Sequence, residues 1–504
     1  MGRWLLLFAI CLLPLQPAHA KWHQAQSDHF VIYADDSAKD IEAFGRMLER
    51  FHSAMELATG VDAAKPSPSN RVTIYIVRYV NDVRKVTNHT NRFVAGVYLP
   101  RAGASIAIVP SVRIRSVASD SSMIYLLHEY VHHFQRANSS FSMPRWMSEG
   151  SAEFFASASF EKNGDVIIGR PAQHRVGELA YAADVHVKEL LDHDLYMTRL
   201  GKSGFYNAYY GKSWLLYHYL TFAPEREGQL EAYTLKLSQG KSPREAAEVF
   251  GDLGDLERAL ERYMRKRMSA LEIKHKGISE SPFTIRTLSP GEADMMQVHM
   301  RSRSGVKEEQ AKELVLEART IAARHPQDPH VLSMLAEAEH DSGNEGAAIA
   351  AADRALAIDQ TQVDAYVQKG FALFAKAADA DDPEQGYNEA IGPFLRLNRI
   401  ENDHPLPLIY FYRSFADRNL KPSALAVSGL ERAAELAPFD LGLRFMTANE
   451  QISAGKYKAA RLNLKPVAYD PHGGSLADAA TALLEKIADK GGTGSEETAE
   501  ETGG

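Results

Sequence analysis

Short apolar runs and amphipathic stretches alternate along the first hundred residues. Residues 29–34 and 72–77 are rich in β-branched and aromatic residues, and each run predicts a strand. Between them, over residues 39–59, apolar side chains recur at steps of three and four, which predicts a helix. Residues 93–99 and 105–109 flank a segment with proline and glycine and predict a β-hairpin. This part of the chain is therefore predicted to mix strands and helices.

Helical patterns dominate the rest of the chain. They run from residue 121 to about 270, and from about residue 289 alanine, leucine and glutamate become abundant. In this last region, helix-breaking residues recur at intervals of 34, 44, 34 and 33 residues, at Pro326, Gln360, His404, Pro438 and Pro471. A polar insert over residues 379–385 accounts for the long interval. A helix–turn–helix period of about 34 residues is typical of tetratricopeptide (TPR) repeats, so about five units are predicted; the alternative is an alanine-rich bundle without true repeats.

Composition and charge narrow the functional classes. The chain has 504 residues, which predicts roughly two to four domains. It carries 57 Lys and Arg against 65 Asp and Glu, a net charge of −8. Because neutralising phosphates requires a basic surplus, this balance argues against nucleic-acid binding. Cys11 is the only cysteine, which excludes both a disulfide framework and a thiolate metal site.

The first twenty residues have the parts of a secretory signal. Arg3 precedes an apolar run over residues 5–15, and residues 18–20, Ala-His-Ala, place small residues at a cleavage site. We predict cleavage after Ala20 and a mature protein in the periplasm or secreted; an uncleaved N-terminal anchor is the alternative. No later apolar run reaches about 18 residues, so no stable membrane span is predicted. Residues 491–504 are predicted to form a disordered acidic tail.

The sequence His128-Glu129-Tyr130-Val131-His132 carries the strongest chemical signal, two histidines four residues apart. In a helix these two positions share one face, so both imidazoles can reach one metal ion. Glu129 follows His128 and is therefore rotated away from the direction in which the two histidines point. At that position a base can act on a metal-bound water molecule without being a metal ligand itself. The alternative is a helix that carries two solvated histidines.

A second helix is predicted to complete the site. Glu149 lies seventeen residues after His132, within the sequence P-R-W-M-S-E-G-S-A-E-F-F. A catalytic zinc takes three protein ligands, and Glu149 would be the third. Glu153, one turn further on, can accept a hydrogen bond from a ligand imidazole and fix its tautomer. Alternatively, both are acidic residues that the helix dipole favours near an N-terminus.

The sequence H-E-Y-V-H-H followed by W-M-S-E-G-S-A-E-F-F resembles the gluzincin metallopeptidases, and most of all the peptidase MA-like domains of secreted proteins. The resemblance spans residues 21–270. It implies a zincin-like fold with three Zn²⁺ ligands and a catalytic base, supplied by His128, His132, Glu149 and, as the base, Glu129. The chain departs from the family pattern at Met147 and Ser148, where Leu and Asn are frequent, and we expect this difference not to affect the chemistry.

Residues 205–214, F-Y-N-A-Y-Y-G-K-S-W, resemble the Tyr-Gly-x-Ser segment that follows the glutamate helix in these domains. Gluzincins commonly stabilise the oxyanion with a tyrosine hydroxyl, and the resemblance makes Tyr210 the first candidate and Tyr209 the second. The alternative is that these tyrosines belong to an aromatic core. His133 and His218 are expected to be structural residues rather than ligands.

Together these features predict an α+β protein, a zincin-like metallopeptidase domain followed by all-α TPR-like helical repeats. The expected divisions are a signal peptide, a peptidase domain, a linker, the repeats and the tail, over residues 1–20, 21–270, 271–288, 289–490 and 491–504. The predicted function is exported, zinc-dependent hydrolysis of peptide bonds, with the repeats binding a protein partner or substrate. A non-catalytic secreted TPR scaffold with a relic peptidase-like domain is the alternative, and hydrolysis of another amide bond stays open.

Overall fold

A computed structural model describes residues 22–88, 94, 96–110, 121–139, 141–201, 206–470 and 473–490. The predicted signal peptide and the predicted acidic tail lie outside these ranges. Within them, no helix combines the length and the apolar character that crossing a membrane requires. The described chain is mostly helical, with a small sheet region near its N-terminus and TPR-like helical repeats after it.

Within the described residues, the larger sheet has six strands: β1 (His23–Gln26), β2 (Phe30–Ala34), β3 (Val72–Val77), β4 (Val97–Leu99), β5 (Ile106–Pro110) and β9 (Thr284–Thr287). Their order across the sheet is β4-β5-β3-β2-β1-β9. Strands β2, β3 and β5 are mutually parallel, and the other pairings are antiparallel. The sequence-based strands over 29–34 and 72–77 and the hairpin are confirmed; β5 begins one residue later than expected, and residues 93 and 95 of the first predicted hairpin strand lie outside the described residues.

Alternating side chains of the sheet enter two different cores. Ile32 and Ile74 point into the main core, which also contains Phe51 of helix α1 (Ala38–Thr59). Tyr75 and Ile108 point to the opposite face. Helix α1 follows the N-cap Ser37, whose hydroxyl accepts a hydrogen bond from the Asp40 amide, and the helix predicted over 39–59 is confirmed.

The segment 271–288, expected to be a linker, supplies a strand to each of two sheets. Strand β9 pairs with β1, and the Leu288 amide donates to the Trp22 carbonyl at 2.9 Å. A second, three-stranded sheet contains β6 (Ser159–Phe160), β7 (Val166–Ile168) and β8 (Leu271–Ile273). Strands β8 and β9 are three and four residues long and largely exposed. So short a run of mostly exposed positions gives almost no hydrophobic pattern from which a strand could be predicted.

Among the described residues, ten further α-helices precede β8 in the chain; the first lies between β3 and β4, and the other nine follow β5. They are α2 (Val80–Val86), α3 (Ser121–Asn138), α4 (Arg145–Ala156), α5 (Val176–Tyr181), α6 (Val187–Leu191), α7 (His193–Tyr196), α8 (Tyr209–Phe222), α9 (Gln229–Ser238), α10 (Pro243–Ala246) and α11 (Leu253–Tyr263). Helix α4 packs closely on α3 and on α8. The Trp146 indole on α4 is fully buried and donates a hydrogen bond to the Tyr233 hydroxyl at 3.1 Å, which anchors α4 in the main core.

Helices of the C-terminal region pack as successive antiparallel pairs. They are α12 (Pro290–Ser304), α13 (Glu308–Arg324), α14 (Pro329–Asp341), α15 (Glu345–Ile358), α16 (Val363–Ala378), α17 (Pro383–Ile400), α18 (Pro405–Ala416), α19 (Ala424–Leu436), α20 (Leu441–Ser453), α21 (Tyr457–Ala468) and α22 (Ser475–Lys486). Pro326, Gln360, His404 and Pro438 all fall between pairs, as their spacing predicts, and Pro471 lies outside the described residues.

Small residues let the paired helices approach one another. A Cβ atom added to Gly370 on α16 would stand 2.5 Å from the Phe394 ring on α17. Ala348, Ala426 and Ala460, on the second helices of three other pairs, are completely buried. The repeat prediction is therefore confirmed at the level of helical hairpins with small residues at their contacts.

The inner surface of the repeats faces the large sheet. Ser302, Asp364, Tyr410 and Met446, on the first helices of four pairs, line a cavity of about 620 Å³ whose opposite wall includes Tyr75 of the sheet. Hydrogen bonds also cross this boundary: the Ser69 hydroxyl donates to Glu401 at 2.6 Å, the Asn70 amide donates to the Leu436 carbonyl at 3.0 Å, and Tyr75 pairs with His299 at 2.9 Å. The sheet and the repeats thus form one packed unit.

Candidate metal centre

Helices α3 and α4 bring three metal-binding side chains to one point. His128 and His132 lie one turn apart on α3, and Glu149 approaches them from α4. The two imidazole Nε2 atoms are 3.1 Å apart. Oε2 of Glu149 lies 3.2 Å from Nε2 of His128 and 3.5 Å from Nε2 of His132. All three residues are buried.

This triangle has the dimensions of three ligands of one zinc ion. Ligand atoms at about 2.0–2.1 Å from a tetrahedral zinc stand about 3.3–3.4 Å from one another. The three observed separations of 3.1, 3.2 and 3.5 Å bracket that value. Two imidazoles and one carboxylate, without a thiolate, are also a donor set that suits zinc.

The surroundings of the Glu149 carboxylate also suit a cation. Its side chain is completely buried, and within the part of the chain that the structure describes its Oε2 approaches the two imidazoles, at 3.2 and 3.5 Å. A buried carboxylate is costly unless a positive charge is close to it. Burial alone would raise the pKa of Glu149, but the two imidazoles hold it well below its ordinary value.

The two histidines differ in their electrostatic surroundings. Burial alone would lower the pKa of His128, but the carboxylates of Glu149 and Glu153 raise it to about 10. Burial lowers the pKa of His132, and the neighbouring His128 adds to this effect. In the absence of an ion, a proton on His128 therefore supplies the positive charge that the Glu149 carboxylate needs.

The Glu153 carboxylate contacts Nδ1 of His128, the ring nitrogen that does not face Glu149. Its Oε1 lies 3.1 Å from Nδ1 of His128, and the carboxylate also contacts His174 and Arg175. Burial opposes ionisation of Glu153, but these partners hold its pKa well below the ordinary value. An ionised Glu153 thus keeps a proton on Nδ1 and turns Nε2 toward Glu149. Sequence reasoning missed His174 and Arg175, because neither has a motif spacing to α3 or α4.

Ser148 performs a related role for His132. Its hydroxyl lies 3.1 Å from Nδ1 of His132. Position 148, where the chain departs from the family pattern, therefore contacts a candidate ligand, and sequence reasoning missed this contact. The reason is geometric, because α4 packs directly on α3 and the residue before Glu149 faces the same helix.

Glu129 lies at the border of the centre. It follows His128 on α3, about 100° further around the helix axis, and is partly exposed. Burial, together with the nearby Glu129 carboxylate, raises the pKa of both Tyr98 on β4 and Tyr125 on α3. Glu129 therefore lies on the side of α3 that faces the β4–β5 hairpin.

Tyr210 lies beside the metal-binding residues, at the start of α8. Its ring centroid is 6.4 Å from that of His128, and the guanidinium carbon of Arg175 lies 4.8 Å from the ring. Burial and the Glu149 charge raise the pKa of Tyr210, which keeps its hydroxyl protonated at neutral pH. Tyr209 is instead buried and packs against the guanidinium of Arg145 at 4.6 Å.

The other histidines singled out in the sequence are structural. His133 is buried, and its Nδ1 lies 2.6 Å from the Tyr98 hydroxyl. His218 is completely buried, and its two ring nitrogens pair with the Tyr263 hydroxyl at 2.8 Å and the Gly169 carbonyl at 2.9 Å. Neither histidine belongs to the His128–His132–Glu149 cluster.

Asp184, His186 and Glu257 form a second acidic cluster, which already has a cation of its own. Nζ of Lys212 lies 2.7 Å from Glu257 and 3.2 Å from Asp184. The lysine ammonium takes the place that a metal ion would need, so this cluster is an ion-pair network.

Only parts of the chain are similar to known proteins. Residues 126–243, which contain His128, His132, Glu149 and Tyr210, match a family described as "Protein of unknown function (DUF1570)". Among solved structures, the chain is similar to a thermophilic TPR protein of Thermus thermophilus, TTC0263, at 18% identity, with 35% of this chain and 91% of that chain covered and a TM-score of 0.30. It is similar to MamA at 14% identity, with coverage of 40% and 98% and a TM-score of 0.27. No curated protein matches the chain.

Proposed function

We propose that this chain is an exported zinc-dependent metallopeptidase of the gluzincin type. The observation that carries the proposal is the convergence of His128, His132 and Glu149, whose three donor atoms lie 3.1–3.5 Å apart around a buried carboxylate. The order H-E-x-x-H and then Glu along the chain supports the same assignment. A zinc ion held there would act as a Lewis acid toward the scissile carbonyl.

The surrounding side chains have the properties that peptide hydrolysis needs. Glu129, beside the ligands but not one of them, accepts a proton from the attacking water and delivers it to the leaving amine. Tyr210, protonated at neutral pH, donates a hydrogen bond to the carbonyl oxygen as negative charge develops on it. Glu153 and Ser148 hold the two imidazoles in orientation.

Strand β4 provides a place for an extended substrate. It lies at one end of the described strand order, and all three of its residues are partly exposed. Tyr98 on β4 contacts α3 through His133, so the strand lies beside the metal-bearing helix. A peptide that pairs with this edge would present its backbone to Glu129, and main-chain hydrogen bonds would supply the affinity.

The repeats are the proposed surface for a protein partner. Their inner surface faces the chain's own sheet, which favours the outer surface for binding another protein. Second helices expose large aliphatic side chains there, among them Leu316, Leu395, Leu425 and Leu462. Apolar side chains left in solvent on several consecutive repeats are suited to a protein contact.

The deciding experiment combines metal analysis with a hydrolysis assay. We expect one zinc per purified chain and chelator-sensitive cleavage of casein or a peptide library. In Glu129→Gln the zinc content should persist, while turnover falls by about 10²–10⁴-fold because the general base is lost. His132→Ala, in contrast, should lose the zinc. Absence of both zinc and cleavage in the wild-type chain would favour the alternative, a non-catalytic secreted scaffold.

A further inference from the structure

The candidate metal helix contacts the repeats directly. Helix α3 presents His132 to the metal site, and the next residue, His133, packs against Phe439 from the loop before α20, with ring centroids 4.4 Å apart. Phe439 is itself buried, in an apolar cluster formed mainly by α18, α19 and α20. The same cluster receives Ala137, near the C-terminal end of α3.

An ion pair fixes the same helix one turn beyond His132. The Arg136 guanidinium donates to the Asp470 carboxylate at 2.7 Å, just after α21. Both side chains are about 15% exposed, so the pair is largely shielded from solvent. Removing one partner of a shielded pair costs more than breaking a pair on an open surface, because the remaining charge is left without compensation.

A third contact fixes the hairpin that carries β4. Asp440 caps α20 with one carboxylate oxygen, 2.9 Å from the Leu443 amide. Its other oxygen accepts a hydrogen bond from the Ala102 amide, also at 2.9 Å, in the loop between β4 and β5. One carboxylate therefore connects the start of a repeat helix to the strand proposed to hold substrate.

We propose that the helical repeats position the metal site, with Phe439, Asp440 and Asp470 acting as positioning residues. Phe439 and Asp470 hold α3 so that His128 and His132 face Glu149, and Asp440 holds β4 beside α3. This inference rests on the proposed zinc site. It assigns the repeats a structural role in metal binding that is separate from any contact with a partner protein.

The test uses full-length chains and measures zinc affinity by competition with a chelating dye. Phe439→Ala and Asp470→Asn should each weaken zinc binding by about 3–10-fold, less than the 10–100-fold typical of residues that contact a ligand directly. The cleavage assay should show a lower kcat with little change in KM. If Phe439→Ala does not fold, Phe439→Leu keeps most of the volume and removes only the ring contact.

Two control variants separate positioning from general stability. Phe374→Ala removes an equally buried aromatic side chain from the repeats, in a cluster that does not include α3. Asp403→Asn removes an exposed carboxylate that lies 3.8 Å from Arg432. Both should leave zinc affinity unchanged, although Phe374→Ala should lower the melting temperature.

The outcomes distinguish this inference from the function on which it rests. Unchanged zinc affinity in Phe439→Ala and Asp470→Asn, or an equal loss in Phe374→Ala, would overturn the positioning role. Glu149→Gln serves as the reference variant. If Glu149→Gln loses zinc while the repeat variants keep it, the metal site stands and only the positioning role is wrong; if Glu149→Gln keeps zinc, the proposed function itself fails.

Discussion

Nδ1 of His128 lies 3.1 Å from Glu153, while Nε2 of the same ring lies 3.2 Å from Glu149. One imidazole therefore connects an orienting carboxylate to a candidate ligand carboxylate. The arrangement fixes which nitrogen carries a proton and which is free for an ion, and this determines how the site responds to substitution and to pH.

Replacing the orienting carboxylate should weaken metal binding. Glu153→Gln keeps a hydrogen-bond acceptor but removes the charge that makes His128 a stronger ligand. We expect zinc affinity to fall by about 10–100-fold, measured against a competing chelator. Glu248→Gln, at a side chain that is 75% exposed, is the matched control. Equal affinities for the two variants would show that Glu153 does not act on the metal site.

Zinc binding should release a proton. With a pKa of about 10, His128 is protonated at pH 7 in the metal-free protein, whereas a zinc ligand must be neutral. The apparent affinity should therefore rise about tenfold for each pH unit between 7 and 9. Calorimetry at pH 7 in buffers of different ionisation enthalpy counts the protons released. A pH-independent affinity with no proton release would contradict the ion pair between His128 and the two carboxylates.

The same group makes the stability of the metal-free protein depend on pH in a defined direction. Because the folded-state pKa is raised from 6.5 to about 10, the contribution of His128 is fully present below pH 6.5. It is lost progressively as the pH rises toward 10. Chelator-treated protein should thus show a falling melting temperature over this range, and His128→Gln should remove that part of the decline.

Because α4 and α8 are in close contact at Gly150, adding one methyl group there should strongly lower the stability of the protein. A Cβ atom at Gly150 would stand 2.4 Å from the Ser213 carbonyl oxygen, which is backbone and cannot turn aside. Gly150→Ala should destabilise the protein by about 1–3 kcal/mol and displace its neighbour Glu149. Gly429→Ala is the matched control, since its nearest neighbour atom would lie at 3.8 Å, and it should be neutral or slightly stabilising. Thermal unfolding followed by circular dichroism compares the two.

The two adjacent tyrosines should differ in their effect on catalysis. Tyr210 lies beside His128. Tyr210→Phe should lower kcat by about 10–10³-fold without changing the zinc content. Tyr209 packs instead on Arg145, so Tyr209→Phe should keep most of the activity. If the two variants lose equal activity, Tyr210 is not the residue that stabilises the oxyanion.

The sequence predicts those parts of the site in which spacing determines geometry. His128 and His132 must share a helix face once α3 forms. Ser148, His174 and Arg175 could not be predicted in the same way. Their roles depend on the angle between α3 and α4 and on the path of the chain after α4, and neither follows from a local pattern.

The same distinction explains what was missed in the fold. Strands β2 and β3 are five and six residues long and mostly buried, so their apolar runs are visible in the sequence. Strand β9 has four residues, T-I-R-T, of which one is partly buried and three are exposed. Its place in the sheet is determined by long-range pairing with β1, about 260 residues away, which no local window contains.

That pairing has a consequence for how the chain can be divided. Strand β9 is the last strand of the large sheet in chain order. The backbone pairing extends past β9 to Leu288, whose amide donates to the Trp22 carbonyl and which directly precedes the N-cap of α12. A chain cut before Thr284 would leave the backbone amides and carbonyls of β1 that face β9 without their partners, while the pairing of β1 with β2 would remain. An open edge of that kind recruits strands from other molecules, so the shortened protein should aggregate.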